Sequence, residues 1–216
     1  MDVRVGDDPA AITAAWIARR LTDATRRRGS AALAVSGGST APPMLAALAA
    51  ADVPWDAITV WQVDERVAPD GHPDRNVLQL DGFPATVRPM PVTAKDLRAA
   101  ARRYAARLPE RFDVVHLGVG DDGHTASWPP GDPVVDSPRD VDVIPEFNGR
   151  PRMTLTPRVV NGARGRVVLV TGATKAGIVA RWMLRDPTLP VDRVRRTGTV
   201  VVLDHAAARD LPVTPV

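Results

Sequence analysis

The sequence predicts an α/β protein built on a parallel or mixed β-sheet with helices on both faces. Short β-branched or apolar runs alternate with longer Ala- and Arg-rich runs along the chain, as strands alternate with helices in such folds. The run FDVVHLGVG is almost continuously apolar, as a strand buried on both faces must be. Four of the expected strands run straight into polar clusters, and ligands of open α/β sheets bind beyond the carboxyl ends of the strands.

AITAAWIARRLTDATRRR has helical spacing, with Ile12, Trp16, Ile17 and Leu21 on one side. AALAVSGG is a strand ending in glycines, and APPMLAALAAA is a helix entered through prolines, which its first turn tolerates. AITVWQVDER is a second strand, AKDLRAAARRYAARL a helix closed by Pro109, and FDVVHLGVG a third strand. RMTLTP reads as a short strand stopped by Pro157. GRVVLVTGATKAGIVARWML is strand, turn and helix, and GTVVVLDHAAA holds the final strand. Residues 129–151, rich in Pro and Asp, are expected to contain a long loop. No internal repeat is present, and residues 1–216 are read as a single domain.

Composition narrows the function. The chain is 44% hydrophobic and 25% charged and has no cysteine, so a packed core without disulfides is expected. Basic and acidic residues number 28 and 25. No basic stripe interleaved with aromatics exists, so nucleic acid is not the expected partner. No run of about 18 apolar residues is available for a membrane span, and the first residues lack a basic-then-apolar block, so a cytoplasmic location is expected.

The four clusters are Ser36-Gly37-Gly38-Ser39-Thr40, Asp64-Glu65-Arg66, Gly118 to His124, and Thr171 to Lys175. If the strands are parallel, all four share one edge. The glycines of SGGST let backbone approach a ligand, and free N–H groups at a helix start attract anions; the other reading is an ordinary strand-to-helix turn. LGVGDDGH contains the spacing of a dinucleotide loop. Yet Asp121 and Asp122 would sit beside a pyrophosphate, and Pro129-Pro130 forbid the helix that should follow. What remains is a turn that presents Asp122 two residues from His124, either a structural turn or a carboxylate that orients a general base. Arg66, Arg152 and Lys175 would add cations to this edge, or pair on the surface. A cation at a helix start, as at Lys175, is disfavoured unless an anion is near. His116 reads as core, His72 as a turn residue and His205 as a helix-capping residue. No histidine pair has metal-ligand spacing, so no metal is expected.

Taken in order, LAVSGGSTAPPML, WQVDERVAPDGHPDRN, FDVVHLGVGDDGHTASWPPG, RMTLTPRVVNGARGRVVLVTGATKAG and VVVLDHAAA resemble the glucosamine-6-phosphate isomerase/6-phosphogluconolactonase family over nearly the whole chain. The resemblance implies a modified Rossmann-like fold, an open and mostly parallel sheet. It implies hydrolysis of 6-phospho-D-glucono-1,5-lactone in the oxidative pentose phosphate pathway, without a cofactor. It also implies His124 as general base, with SGGST, Arg66 and Lys175 on the sugar phosphate; Asp64 and Arg152 join the expected binding residues. A monomer or weak homo-oligomer is expected. The isomerase branch carries a Glu shortly after the His; here no acid occurs between His124 and Asp132. That favours the lactonase over the deaminase/isomerase. A non-catalytic sugar-phosphate sensor would not need Asp122 and His124. The sequence departs from the lactonase pattern at Trp128-Pro129-Pro130, where the pocket wall would change, at Arg75 and at Leu203.

Overall fold

The computed structural model describes residues 1–211; residues 212–216, the end of the span read as one domain, lie outside the described residues. In chain order the elements are β1 (Asp2–Val5), α1 (Pro9–Arg28), β2 (Ala31–Val35), α2 (Ala41–Ala49), β3 (Ile58–Gln62), β4 (Asp64–Arg66), β5 (Thr86–Arg88), α3 (Leu97–Ala105), β6 (Val114–Leu117), β7 (Val141–Phe147), β8 (Arg150–Leu155), α4 (Pro157–Gly162), β9 (Gly165–Val170), α5 (Ala176–Met183), β10 (Thr199–Leu203) and α6 (His205–Ala208).

Seven strands form one sheet in the order β1-β10-β9-β6-β2-β3-β5, and every pairing in it is parallel. From β2 the chain builds outward through β3 to β5. It then returns to the other side of β2 with β6 and continues outward through β9 and β10. The direction of winding therefore reverses between β2 and β6, which opens a crevice at their carboxyl ends.

The strands are apolar on both faces because both faces are covered. Leu33, Val35, Val167, Leu169, Val200 and Val202 pack with Trp16, Ile17, Leu21, Met44 and Leu48 of α1 and α2. Their alternates Ala32, Ala34, Val168, Val170, Val201 and Leu203 join a core with Tyr104 of α3 and Trp182 of α5. That second face is also covered by β4, β8 and β7, a small antiparallel sheet that contributes Val141, Ile144, Phe147, Met153 and Leu155. Leu203 is fully buried here.

Local chemistry sets the helix ends. Asp8 caps α1 by accepting from Ala11 N–H at 2.9 Å. Gly29 ends it at φ 79°, a conformation glycine adopts without strain. Arg26, Arg27 and Arg28 fill its last turn, where cations suit the helix dipole. Asp96 caps α3 through Ala99 N–H. That helix ends at Ala105, before Pro109 is reached.

Three expectations need correction. AITVWQVDER is two strands: the chain leaves the large sheet after Gln62, and Asp64–Arg66 pairs antiparallel with β8. Pro157 does more than stop a strand, since it opens α4 at a position where its missing N–H costs nothing. Residues 129–151 do contain the end of a long irregular stretch, which runs from the end of β6 to the start of β7, but they are not irregular throughout: Val141–Phe147 pairs with β8 as a hairpin, with a register shift between Ile144 and Phe147.

His116 is a core residue, as expected. It is fully buried in β6, and neither ring nitrogen has a partner. Burial pushes its pKa down to about 4. The unfolded chain would bind a proton near pH 6.5, so between about 6.5 and 4 the unfolded state holds more protons than the folded one. Stability is therefore fully present above that window and falls as pH drops through it. His116→Leu should remove about 2–3 kcal/mol of the stability lost between pH 7 and 4.5, measured by urea denaturation at both values. An unchanged pH slope would show that another group sets the acid sensitivity.

Candidate active site

The four expected clusters meet at one edge. A cleft of about 260 Å³ lies beyond the carboxyl ends of β2, β3, β6 and β9. Ser36, Gly37, Gly38, Ser39, Thr40, Asp64, Arg66, Arg152, Lys175 and His124 all line it. Asp122 does not; it stands behind His124. Asp121 and Thr171, members of two of these clusters, also line the cleft, as do Asn76 and Ala126, which the sequence did not single out.

The loop after β2 offers backbone rather than helix donors. Thr40 takes the N-cap position of α2, but its side chain makes no cap bond. Pro42 and Pro43 carry no N–H, so the first turn has few donors of its own. The anion-facing groups are those of the loop itself, where Gly38 holds φ 110°. A Cβ on Gly37 would lie 2.4 Å from Asn76 Oδ1, so only glycine lets Asn76 close over this loop. Ser36 Oγ, Asn76 Oδ1 and Arg66 Nε are buried without a partner. Each such atom is costly to leave so, and all three belong to residues that line one cleft.

The second wall is built around Glu65, which is fully buried. Its Oε1 accepts from Arg66 N–H at 2.8 Å and Asn76 N–H at 2.7 Å. Its Oε2 accepts from Val77 N–H at 2.9 Å and from Gln62 Nε2 at 2.8 Å, and Arg75 Nε stands 3.2 Å away. Arg75, a departure from the family pattern, is thus buried structure: it also reaches the Ala68 carbonyl and Asp70. Asn76 Nδ2 donates to the Asp64 carbonyl at 3.1 Å.

Arg66 and Arg152 are direct partners across β4 and β8, an arrangement of like charges that is unfavourable without an anion between or beside them. Arg66 donates to the Asp74 carbonyl. Arg152 donates through Nε and a terminal nitrogen to the Phe147 carbonyl and lies over the Phe147 ring, 5.1 Å from its centroid. Burial lowers the pKa of Arg152, with Asp64 opposing that shift. Asp64 is buried and accepts from Ser127 Oγ at 2.7 Å; burial raises its carboxyl above the ordinary range despite Ser127, Arg152 and Arg66.

The loop after β6 holds the imidazole. Gly120 N–H donates to the His124 carbonyl at 2.8 Å and Gly123 N–H to the Gly120 carbonyl at 3.0 Å. A Cβ on Gly120 would come within 2.0 Å of the His124 ring. The glycines therefore make room for the imidazole. Asp122 Oδ1 accepts from His124 N–H at 3.0 Å and lies 2.5 Å from Nδ1. With the proton on Nδ1, Nε2 is left as the acceptor. Burial pushes the Asp122 carboxyl up, but the His124 N–H and imidazole outweigh it and the net shift is down. Phe147 meets the ring edge-on at 4.9 Å. Ala126, on the cleft wall, is held at φ 51°, a conformation a side chain rarely adopts.

Trp128 is not part of that wall. It is fully buried and donates from Nε1 to the Leu155 carbonyl at 2.8 Å. Lys175 Nζ pairs with Asp121 Oδ1 at 2.8 Å, which holds the Asp121 carboxyl below its usual range; the anion beside this helix start is Asp121. Its turn is fixed by Asp204, which accepts from Gly172 N–H at 2.9 Å and from Ala207 N–H at 2.7 Å. Asp204, not His205, caps α6.

The comparisons agree with one another. Residues 6–202 match the family model described as glucosamine-6-phosphate isomerases/6-phosphogluconolactonase. A 6-phosphogluconolactonase of Synechocystis is 36% identical, over 74% of this chain and 74% of its own. One of Streptomyces coelicolor is 33% identical, over 94% of this chain and 90% of its own. The crystal structure of a 6-phosphogluconolactonase from Thermotoga maritima superposes with a TM-score of 0.85, at 22% identity, over 94% of this chain and 98% of that one.

Glu65→Ala would leave the buried Arg75 with only the exposed Asp70 as a carboxylate partner and four further donors without an acceptor. A loss of about 3–5 kcal/mol in unfolding free energy is expected, the cost of breaking a buried pair, read by chemical denaturation. A loss below about 1 kcal/mol would mean that water replaces the carboxylate.

Proposed function

The chain belongs to the glucosamine-6-phosphate isomerase/6-phosphogluconolactonase family, and we propose that its cleft hydrolyses 6-phospho-D-glucono-1,5-lactone to 6-phosphogluconate with His124 as general base. The observation that carries this reading is the His124–Asp122 pair, whose imidazole lines a cleft that also holds Arg66, Arg152 and Lys175. A δ-lactone is already an activated ester, so the reaction needs a water deprotonated as it attacks and donors for the oxyanion that forms. His124 Nε2 takes that proton while the water oxygen bonds to C1. The C1–ring oxygen bond then breaks, the ring oxygen leaves as a hydroxyl after taking a proton, and C1 ends as a carboxylate. Asp122 holds the ring and stabilises the imidazolium.

The substrate phosphate is remote from C1, so its binding contributes by holding the lactone in position for attack. Arg66, Lys175 and the N–H groups of SGGST are its partners in this proposal. Arginine grips phosphate oxygens through a planar fork, and lysine acts as a point charge. Lys175 must exchange Asp121 for phosphate. Asp64 and Arg152 belong to the sugar side of the cleft. Every group named lies on one chain, so a monomer or weak homo-oligomer suffices, and we place the reaction in the cytoplasm. Among the described residues no helix is long and apolar enough to cross a membrane. The absence of an acid between His124 and Asp132 favours this reading over the deaminase/isomerase.

Lys175→Ala and Arg66→Ala should each weaken 6-phosphogluconate by about 1.5–3 kcal/mol, as for a charge-assisted hydrogen bond, in calorimetric titration. Wild-type affinity in both variants would displace the phosphate from this wall.

His124→Ala should lower kcat about 10²–10⁴-fold, the usual contribution of a general base, with product still bound and the spontaneous rate subtracted. Asp122→Asn keeps the turn but withdraws the negative charge that stabilises the imidazolium formed as water is deprotonated, so kcat should fall about tenfold or more. Near-wild-type kcat in His124→Ala would end the base assignment, and a wild-type kcat in Asp122→Asn would remove Asp122 as its partner.

A further inference from the structure

We propose a second anion site at the opposite edge of the large sheet, suited to a compact small molecule with two phosphate groups, such as a bisphosphate or pyrophosphate. A cleft of about 540 Å³ opens there, lined by Arg19, Arg20, Arg27 and Arg28 of α1 with Arg111 and Arg164 from the segments that lead into β6 and β9. Among the described residues that line it, Asp23 and Asp113 alone oppose these six guanidiniums.

Asp113 is already committed. Its Oδ1 serves Arg28 and, at 3.4 Å, Arg164; its Oδ2 accepts from Ala32 N–H at 2.9 Å. Among the described residues Arg19, Arg20, Arg27 and Arg111 have no carboxylate within ion-pair distance. The crowding is felt by its members. Burial and then the neighbouring Arg19 push the pKa of Arg20 down, and Arg20 Nε is buried without a partner. Behind it, buried Arg166 is pushed down to about 10 by burial and then by Arg195, Arg111 and Arg20. A bound polyanion would relieve this repulsion and take the guanidiniums in pairs.

The shape of the site limits the ligand. The arginines gather in one concavity instead of running as a stripe, which suits a point of dense charge better than an extended nucleic acid. The one aromatic at hand, Trp16, is buried and its face is covered by Arg20 at 4.4 Å, so no ring is free to stack on a base. Asp23 leaves an acceptor for a ligand hydroxyl.

Isothermal titration with inorganic pyrophosphate at low ionic strength tests the site. In the Arg66→Ala/Lys175→Ala protein, one equivalent should still bind. In Arg19→Gln/Arg27→Gln, where both side chains are exposed and unpaired, affinity should fall at least about tenfold, with an unchanged melting temperature in the absence of ligand. Inorganic phosphate should bind at least about tenfold more weakly than pyrophosphate. Binding lost in the first variant and kept in the second would assign the pyrophosphate to the catalytic cleft and overturn the proposal. Equal affinity for phosphate and pyrophosphate would reduce the site to diffuse charge, and displacement by a short DNA duplex would make it a nucleic-acid surface.

Discussion

The buried carboxylate of Glu65 ties three stretches of chain to one point: Gln62 at the end of β3, Arg66 on β4, and Arg75 to Val77 at the far end of a long connection. A carboxylate inside a protein is tolerated only when its lone pairs are filled and a cation stands near. Here the filling is done by the very segments that carry the cleft. Arg66 and Asn76 point where they do because their N–H groups are spent on Glu65. Asn76 in turn closes over Gly37, so the loop after β2 inherits its shape from the same carboxylate.

Charge in the cleft is arranged as a set of opposed strains. Arg66 faces Arg152 across two paired strands, and Asp64 is buried beside them with its carboxyl pushed up. Lys175 is held by Asp121, an exposed partner that an incoming anion can replace. Preorganised groups of this kind act on a charged ligand without a reorganisation cost at the moment of reaction. The His124 pair differs in kind: its geometry is complete within one tight turn and depends on Gly120 having no side chain.

Much of this was legible in the chain. SGGST, Gly118 to His124 and Lys175 follow strands apolar on both faces, and that pattern alone puts them at one edge once the strands are parallel. The glycine spacing of a dinucleotide loop was separable from its function because Asp121, Asp122 and the following prolines contradict it. Other features were hidden for physical reasons. VDVIPEF does not read as a strand because Pro145 and its acids mask an element that pairs on one side and bulges. DVRV and TVR are short edge strands with too little apolar pattern to announce themselves. Glu65 looked like one more polar residue, since its role exists only after residues 75–77 return to it. Trp128 reads from the sequence as a change to the cleft, whereas it is buried and finds its partner at the Leu155 carbonyl; Arg75, a departure with no role legible in the sequence, is buried against Glu65.

The cleft draws its walls from segments far apart in the chain, from Ser36 to Lys175, and only the His124–Asp122 pair is complete within one of them. Contacts of such long sequence separation form late, because loop closure must precede them. A refolding molecule could regain its helices and most of its hydrophobic burial and still have no catalytic centre. Recovery of turnover therefore reports the meeting of distant segments at the sheet edge rather than collapse or helix formation.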